Sequence, residues 1–237
     1  MRTERAEPTF EIITGSARAF GNSEQVADHI AKLLRDRGAH ASILRLREYD
    51  IAPCGTCGEC NTRTVVCARE DDMPMIIERL IAADAIIYIA PVHGYGLAHP
   101  MQVFIERAGV GYLRFKRPLA NKVAGCVITG RRYGHVGVFN QIMNNILLNR
   151  MILAGSGYPT ILMGGTPGKA LEDEEGLNSV QSLVERMLGM VRLLGSVPTA
   201  QRKAFLTPET TNERLSANAD AIAATRDAPA TTPSTTE

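Results

Sequence analysis

From position 9 onward the chain alternates short apolar runs with stretches in which apolar residues recur at helical spacing. Phe10, Ile12 and Ile13 read as a buried strand, and Val26, Ile30, Leu33 and Leu34 fall on one helical face. Between them, residues 14–23 carry glycines and hydroxyls and form a loop. Residues 41–46 alternate apolar with polar, which predicts a short strand at a sheet edge. Residues 73–83 return to helical spacing through Ile76, Ile77, Leu80 and Ile81, with Asp71 or Asp72 placed to cap the helix. Residues 84–90, DAIIYIA, are a continuous apolar run, the pattern of a central parallel strand covered on both faces.

The pattern then repeats. A second glycine- and aromatic-rich loop, PVHGYG at 91–96, precedes a helix over about 99–108. Residues 123–129, VAGCVIT, predict a strand that ends in Gly130-Arg131-Arg132-Tyr133-Gly134-His135. A long helix over 137–154 follows, through Val138, Ile142, Ile146, Leu147 and Met151. Residues 158–163 make a fifth strand, 172–176 an acidic loop and 177–194 a helix. Five strands with helical connectors predict an α/β fold with a doubly wound parallel sheet spanning residues 9–195. Residues 1–8 are a short leader. From 196 onward, prolines punctuate a Thr- and Ala-rich extension in which only 209–226 has helical character. Its last eleven residues, DAPATTPSTTE, read as a disordered tail or a subunit contact.

Composition narrows the function. At 237 residues the chain suits one α/β domain burying roughly 70–75% of its unfolded surface. A net charge of +1 with 22% charged residues favours neither nucleic acid nor an anionic membrane as partner. No apolar run reaches the roughly 18–20 residues of a membrane span, and MRTERAEP lacks the apolar core of a signal peptide, so a soluble cytoplasmic protein is expected. Five cysteines, an odd count without a signal peptide, argue for free, redox-active or metal-binding thiols in a reducing compartment.

Loops 14–23, 91–96 and 129–135 each follow a strand, so all three lie at the carboxyl edge of the sheet, where open parallel sheets bind ligands. The first turns a strand directly into a helix, aiming amide groups and the positive helix end at one spot, with Ser16, Asn22 and Ser23 as added donors. That is a phosphate cup, although Asn22 or Ser23 would equally serve as an ordinary helix cap. It matches neither G-x-G-x-x-G nor a Walker loop, which leaves a mononucleotide phosphate. Glycine backbone that can approach a flat ring, together with His93 or Tyr95 for stacking, suits a phosphorylated planar cofactor.

Four stretches carry a resemblance: G-S-A-R-A-F-G-N-S at 15–23, P-C-G-T-C-G-E-C with a later Cys and D-D-M at 53–73, A-D-A-I-I-Y-I-A-P-V-H at 83–93, and T-G-R-R-Y-G-H at 129–135. Over residues 9–195 the chain resembles the NAD(P)H-dependent FMN reductases of the flavodoxin-like superfamily. The resemblance implies strand order 2-1-3-4-5 and an FMN phosphate held by Ser16, Arg18, Asn22 and Ser23. The isoalloxazine would lie against Pro91, Val92, His93, Gly94 and Tyr95 and against Thr129, Gly130, Arg131 and Gly134. It further implies NAD(P)H as electron donor and a quinone, a flavin or another small molecule as acceptor. The flavin carries the chemistry, so no catalytic acid or base is expected. Relatives of this kind form homodimers or homotetramers. The chain departs from the usual family text at His93, His99, Met101-Gln102 and Glu106-Arg107; His93 keeps a planar stacking group, while the missing family lysine and the added Gly94-Tyr95-Gly96 bear on the acceptor and its entry route. His93 and His99 also read simply as hydrogen-bonded loop and helix-start histidines.

Cys54, Cys57, Cys60 and Cys67 form C-x2-C-x2-C-x6-C, a spacing able to wrap a [4Fe-4S] cluster. The motif resembles that of the iron-sulfur flavoproteins, electron-transfer proteins of the same superfamily. An all-thiolate zinc site and free redox thiols are the alternatives. Cys126, in the middle of a strand, reads as a buried structural residue. A flavodoxin-like chain that binds without turning over is the remaining functional class.

Overall fold

The computed structural model describes residues 7–55, 67–108 and 117–206. Four strands run parallel in the order β2 (His40–Arg45), β1 (Thr9–Thr14), β3 (Ala85–His93) and β5 (Val123–Gly130). Beyond β5, the last position is shared by β6 (Ile152–Leu153) and β7 (Thr160–Met163), which pair with the lower and upper parts of β5. Counting only full-length positions, this is the expected order 2-1-3-4-5. The fifth strand starts at Thr160, two residues later than its apolar pattern suggested. Pro159 has no amide to donate and Gly157 has φ +114°, so the chain leaves the sheet there.

Helix α1 (Asn22–Arg35) buries Val26, Ala27, Ile30, Ala31 and Leu34 on one face of the sheet. Each large side chain on that stripe contributes about 1.5–3 kcal/mol on burial. The same face is covered by α5 (Glu174–Ser196), whose Leu183 and Met187 pack so tightly on β5 that a Cβ at Gly125 would stand 2.5 Å from Met187 Sδ. The other face is covered by α2 (Met73–Ala82), α3 (His99–Arg107) and α4 (His135–Leu148) around Ile13, Leu80, Tyr88, Phe104 and Ile142. Strand β3 is buried from Ala85 to Ala90, as a central strand must be. Ion pairs reach into this packing: Arg79 Nη2 lies 2.7 Å from the buried Glu11 Oε1.

Several boundaries differ from the periodicity. Helix α4 ends at Leu148, because Asn149 turns its amide group onto Ala108 O and Arg150 takes φ +55°. Leu147 on α4 and Ile81 on α2 are exposed although their spacing suggested a core face, and Met151 reaches the core from beyond α4. The acidic segment 172–176 is the start of α5: Asp173 caps it by accepting from the Gly176 amide at 3.0 Å. A seven-residue helix, α6 (Thr199–Phe205), follows where no helix was expected. Residues 209–226 lie outside the described residues. No helix among the described residues is long and apolar enough to cross a membrane.

Candidate functional site

The first turn is built to leave donors open. Gly15 donates to Ile89 O at 2.9 Å, which keeps the chain on β3 one residue past β1. A Cβ at Gly15 would lie 2.4 Å from Met101 Cβ, so glycine is what lets the start of α3 press against this turn. Ser16 Oγ accepts from the Arg18 amide at 3.1 Å and donates to Arg18 O at 3.0 Å. Phe20 takes φ +55°, with its amide donating to Glu24 Oε2 at 2.8 Å and its carbonyl accepting from Gln25 Nε2 at 2.9 Å. Gly21 is the N-cap residue of α1, and no side chain caps the helix. The amides of Asn22 and Ser23 consequently have no acceptor among the described residues, and the positive end of a fourteen-residue helix faces the turn.

The expected cap by Asn22 or Ser23 is replaced by longer-range ties. Asn22 donates to Gly164 O at 3.1 Å and accepts from the Ala170 amide at 3.3 Å. Ser23 Oγ meets Thr129 Oγ1 at 2.8 Å in a buried contact between α1 and the end of β5. The side chains predicted as phosphate donors thus fix the turn against its neighbours, and the open donors are backbone amides. Arg18 is exposed beside them.

The second loop begins inside a strand. Pro91, Val92 and His93 belong to β3, because pairing with β5 runs on to Thr129. Gly94 (φ +52°) and Tyr95 (φ +66°) then form a two-residue hairpin that returns as β4 (Gly96–Leu97). The third turn touches the second: Gly134 has φ +87°, and a Cβ there would stand 2.9 Å from Tyr95 O and 3.0 Å from Val92 Cγ1. A Cβ at Gly130 would lie 2.6 Å from His135 Nε2. Arg131 lays its stem on Gly165, whose Cβ would be 3.5 Å from Arg131 Cγ. All three turns therefore meet at one end of the sheet, with Phe20, Tyr95 and Tyr133 exposed around them. Thr14 Oγ1 and His135 Nε2 are buried there without a hydrogen-bond partner among the described residues.

Burial, then Arg18 and His99, hold the His93 imidazole below its usual value. Arg18→Gln is expected to raise the His93 pKa, as followed by its imidazole NMR signals; an unchanged value would separate the first and second turns. An open groove of about 700 Å³ beside residues 154–159, lined by Phe139, Tyr158 and Arg186 among others, sits at the sheet's lateral edge, where these turns do not reach.

Next to the site, a buried ion pair pins the segment that carries the cysteines. Arg107 at the end of α3 grips Asp71 through both guanidinium nitrogens, at 2.6 and 3.2 Å, and donates to Ala52 O at 2.6 Å. Asp71 also accepts from the Ala52 and Met73 amides, each at 3.1 Å. Burial alone would raise the Asp71 pKa, but the Arg107 hydrogen bond, the two amides and the Arg107 charge lower it. The Cys54 amide donates to Glu106 Oε2 at 3.3 Å, and both Cys54 and Cys67 lie close enough to influence the Arg107 charge. Cys57 and Cys60 lie outside the described residues. Among the described residues no group of three or more His, Cys, Asp or Glu side chains is placed to hold a metal. Cys126 is buried in β5, and burial pushes its thiol pKa up.

Sequence reasoning missed Glu24 and the Asp71–Arg107 pair as organisers of the site. Glu24 did carry a signal, standing three residues after the N-cap where a capping box places its carboxylate. Arg107 carried none, since its partner lies 36 residues away.

Several known proteins are similar to this chain. An iron-sulfur flavoprotein of Methanocaldococcus jannaschii is 29% identical over 189 residues, covering 77% of this chain and 96% of that protein. An iron-sulfur flavoprotein of Methanosarcina thermophila is 28% identical over 185 residues, covering 77% and 94%. Among solved structures, RosB with bound 8-demethyl-8-formylriboflavin-5'-phosphate superposes with a TM-score of 0.63 at 18% identity, over 97% of this chain and 94% of that one, which supports the flavodoxin-like fold. The NADPH-dependent FMN reductase model matches residues 9–164, a span that contains all three turns. The chain therefore belongs to the NADPH-dependent FMN reductase family and is an oxidoreductase of flavodoxin-like fold.

Proposed function

We propose that the protein binds FMN across the three turns, takes electrons from NAD(P)H and passes them to a quinone, a flavin or another small acceptor. The observation that carries this reading is the convergence of the open α1 amides, Arg18 and the glycine-walled turns at 130–134 on one end of the sheet. The donor set fits the cofactor. Backbone amides at a helix N-terminus, with an arginine beside them, are chemistry suited to a phosphate dianion. Gly130 and Gly134 let the third turn pack directly on His135, Val92 and Tyr95, which brings the second and third turns together as one wall for the ring.

When bound, FMN supplies the two-electron chemistry. The chain's own work is to bind and orient. The Asn22 and Ser23 amides with Arg18 receive the phosphate, and the Ser23–Thr129 contact fixes their distance from β5. The Gly130 and Arg131 amides would serve the pyrimidine edge of the ring, where backbone donors favour the negative charge of the reduced flavin. On this reading the partners are small molecules and copies of the chain itself, as a homodimer or homotetramer in the cytoplasm.

A second reading follows from the cysteines and from the names of the two relatives. Cys54, Cys57, Cys60 and Cys67 would then hold a [4Fe-4S] cluster, with the Asp71–Arg107 pair fixing both ends of the segment, and the protein would carry single electrons. Anaerobic titration with NADPH distinguishes the two. Rapid bleaching of bound flavin is expected. Slow or absent bleaching, with iron present and reduced only by dithionite, would favour the electron carrier.

A further inference from the structure

We propose that Glu24 is a positioning residue for the phosphate end of the flavin: its buried carboxylate holds the 16–21 turn in the conformation that leaves the α1 amides open. The inference rests on the FMN reading above. Glu24 is only 3% exposed, yet it lies at the third residue of a helix whose first turn borders solvent. One oxygen accepts from the Phe20 amide at 2.8 Å, and the other accepts from Arg47 Nε at 2.7 Å, with Arg45 Nε at 4.0 Å. Phe20 sits at φ +55°, a region that aromatic residues rarely occupy, and its ring is 80% exposed. Nothing that the ring packs on holds it there. The backbone is held instead, with Glu24 on its amide and Gln25 on its carbonyl.

The consequence is steric as well as electrostatic. With the Phe20 amide turned down onto Glu24, Gly21 enters α1 extended at φ −76° and ψ 174°, and no side chain folds over the helix end. An ordinary cap at this place would occupy a donor that a phosphate needs. The carboxylate is itself neutralised by Arg47 and Arg45, so it does not repel an incoming anion. Arg47 also opens the segment that runs on to the cysteines, so the same carboxylate ties that segment to the turn.

The test is equilibrium binding of FMN and of riboflavin, which differ only in the phosphate, to the full-length protein freed of flavin. Glu24→Ala removes the acceptor that holds the Phe20 amide. Phe20→Pro removes the amide and forbids positive φ, so it forces the turn out of this conformation while leaving Glu24 and Arg47 in place. Both are expected to weaken FMN by 10-fold or more and to leave riboflavin within about 3-fold. Phe20→Gly, which keeps the amide and accepts the φ, is expected to bind FMN like the unmutated chain. FMN affinity unchanged in Phe20→Pro, or FMN and riboflavin weakened equally, would overturn the role of Glu24. If Glu24→Ala fails to fold, the Phe20 pair decides. Unmutated protein that binds neither flavin would instead remove the FMN reading itself.

Discussion

Arg107→Met is expected to destabilise the protein by about 3–5 kcal/mol, because it leaves the Asp71 carboxylate buried without its counter-charge. Both side chains are almost wholly enclosed, at 5% and 1% exposure, so water cannot replace the lost partner. Asp71→Asn keeps the shape and can still accept from the Ala52 and Met73 amides, so it is expected to cost less. In the double variant the two losses should not add, since the second change removes the charge that the first one stranded. Urea denaturation midpoints at fixed slope measure all three. The pH dependence has a definite sign. Asp71 has a lowered pKa in the folded protein, so its contribution is full above the ordinary carboxylate range and is lost as pH falls through its folded value. Asp71→Asn should accordingly flatten the acid limb of the stability curve. Additive single losses, or an unchanged acid limb, would show that the pair does not hold the 52–71 segment onto α3.

Gly134→Val is expected to cost about 2–4 kcal/mol, divided between stability and FMN affinity. A β-branched residue at φ +87° carries a backbone penalty of about 1–2 kcal/mol. Its Cβ would also crowd Tyr95 O at 2.9 Å and Val92 Cγ1 at 3.0 Å, forcing apart the two turns that flank the proposed ring site. The matched control is Gly137→Ala three residues on, where the added methyl meets nothing within 4 Å. There the better helix former should stabilise by about 0.5–1 kcal/mol and leave flavin binding alone. Calorimetry with flavin titration separates the two variants. A Gly134→Val protein with normal FMN affinity would mean that the contact between the turns does not shape the site.

What the sequence made legible follows from the range of each interaction. The parallel order and the edge that carries the site are carried by local signals: apolar runs, helical spacing and glycine-rich turns placed after strands. The hairpin at Gly94-Tyr95 escaped because Tyr95, not a glycine or asparagine, occupies a positive-φ position. The divided last strand escaped because residues 152–153 are too short a run to signal a strand, and the backbone leaves the sheet only around Gly157 and Pro159. Ser16, Asn22 and Ser23 were found by type and position. Their partners, Gly164, Ala170 and Thr129 for the last two, are more than 100 residues away and cannot be read from spacing. The capping-box position of Glu24 was visible in the sequence, but its partners were not. Only the fold brings Arg47 and the Phe20 amide to opposite oxygens of its carboxylate.

The most direct measurement is a crystal structure of the protein with FMN. We expect the phosphate within hydrogen-bond distance of the Asn22 and Ser23 amides, and the ring lying against the Gly94-Tyr95 hairpin and the turn at 130–134. Flavin bound at the lateral groove beside residues 154–159, or a phosphate seated away from the start of α1, would contradict the account.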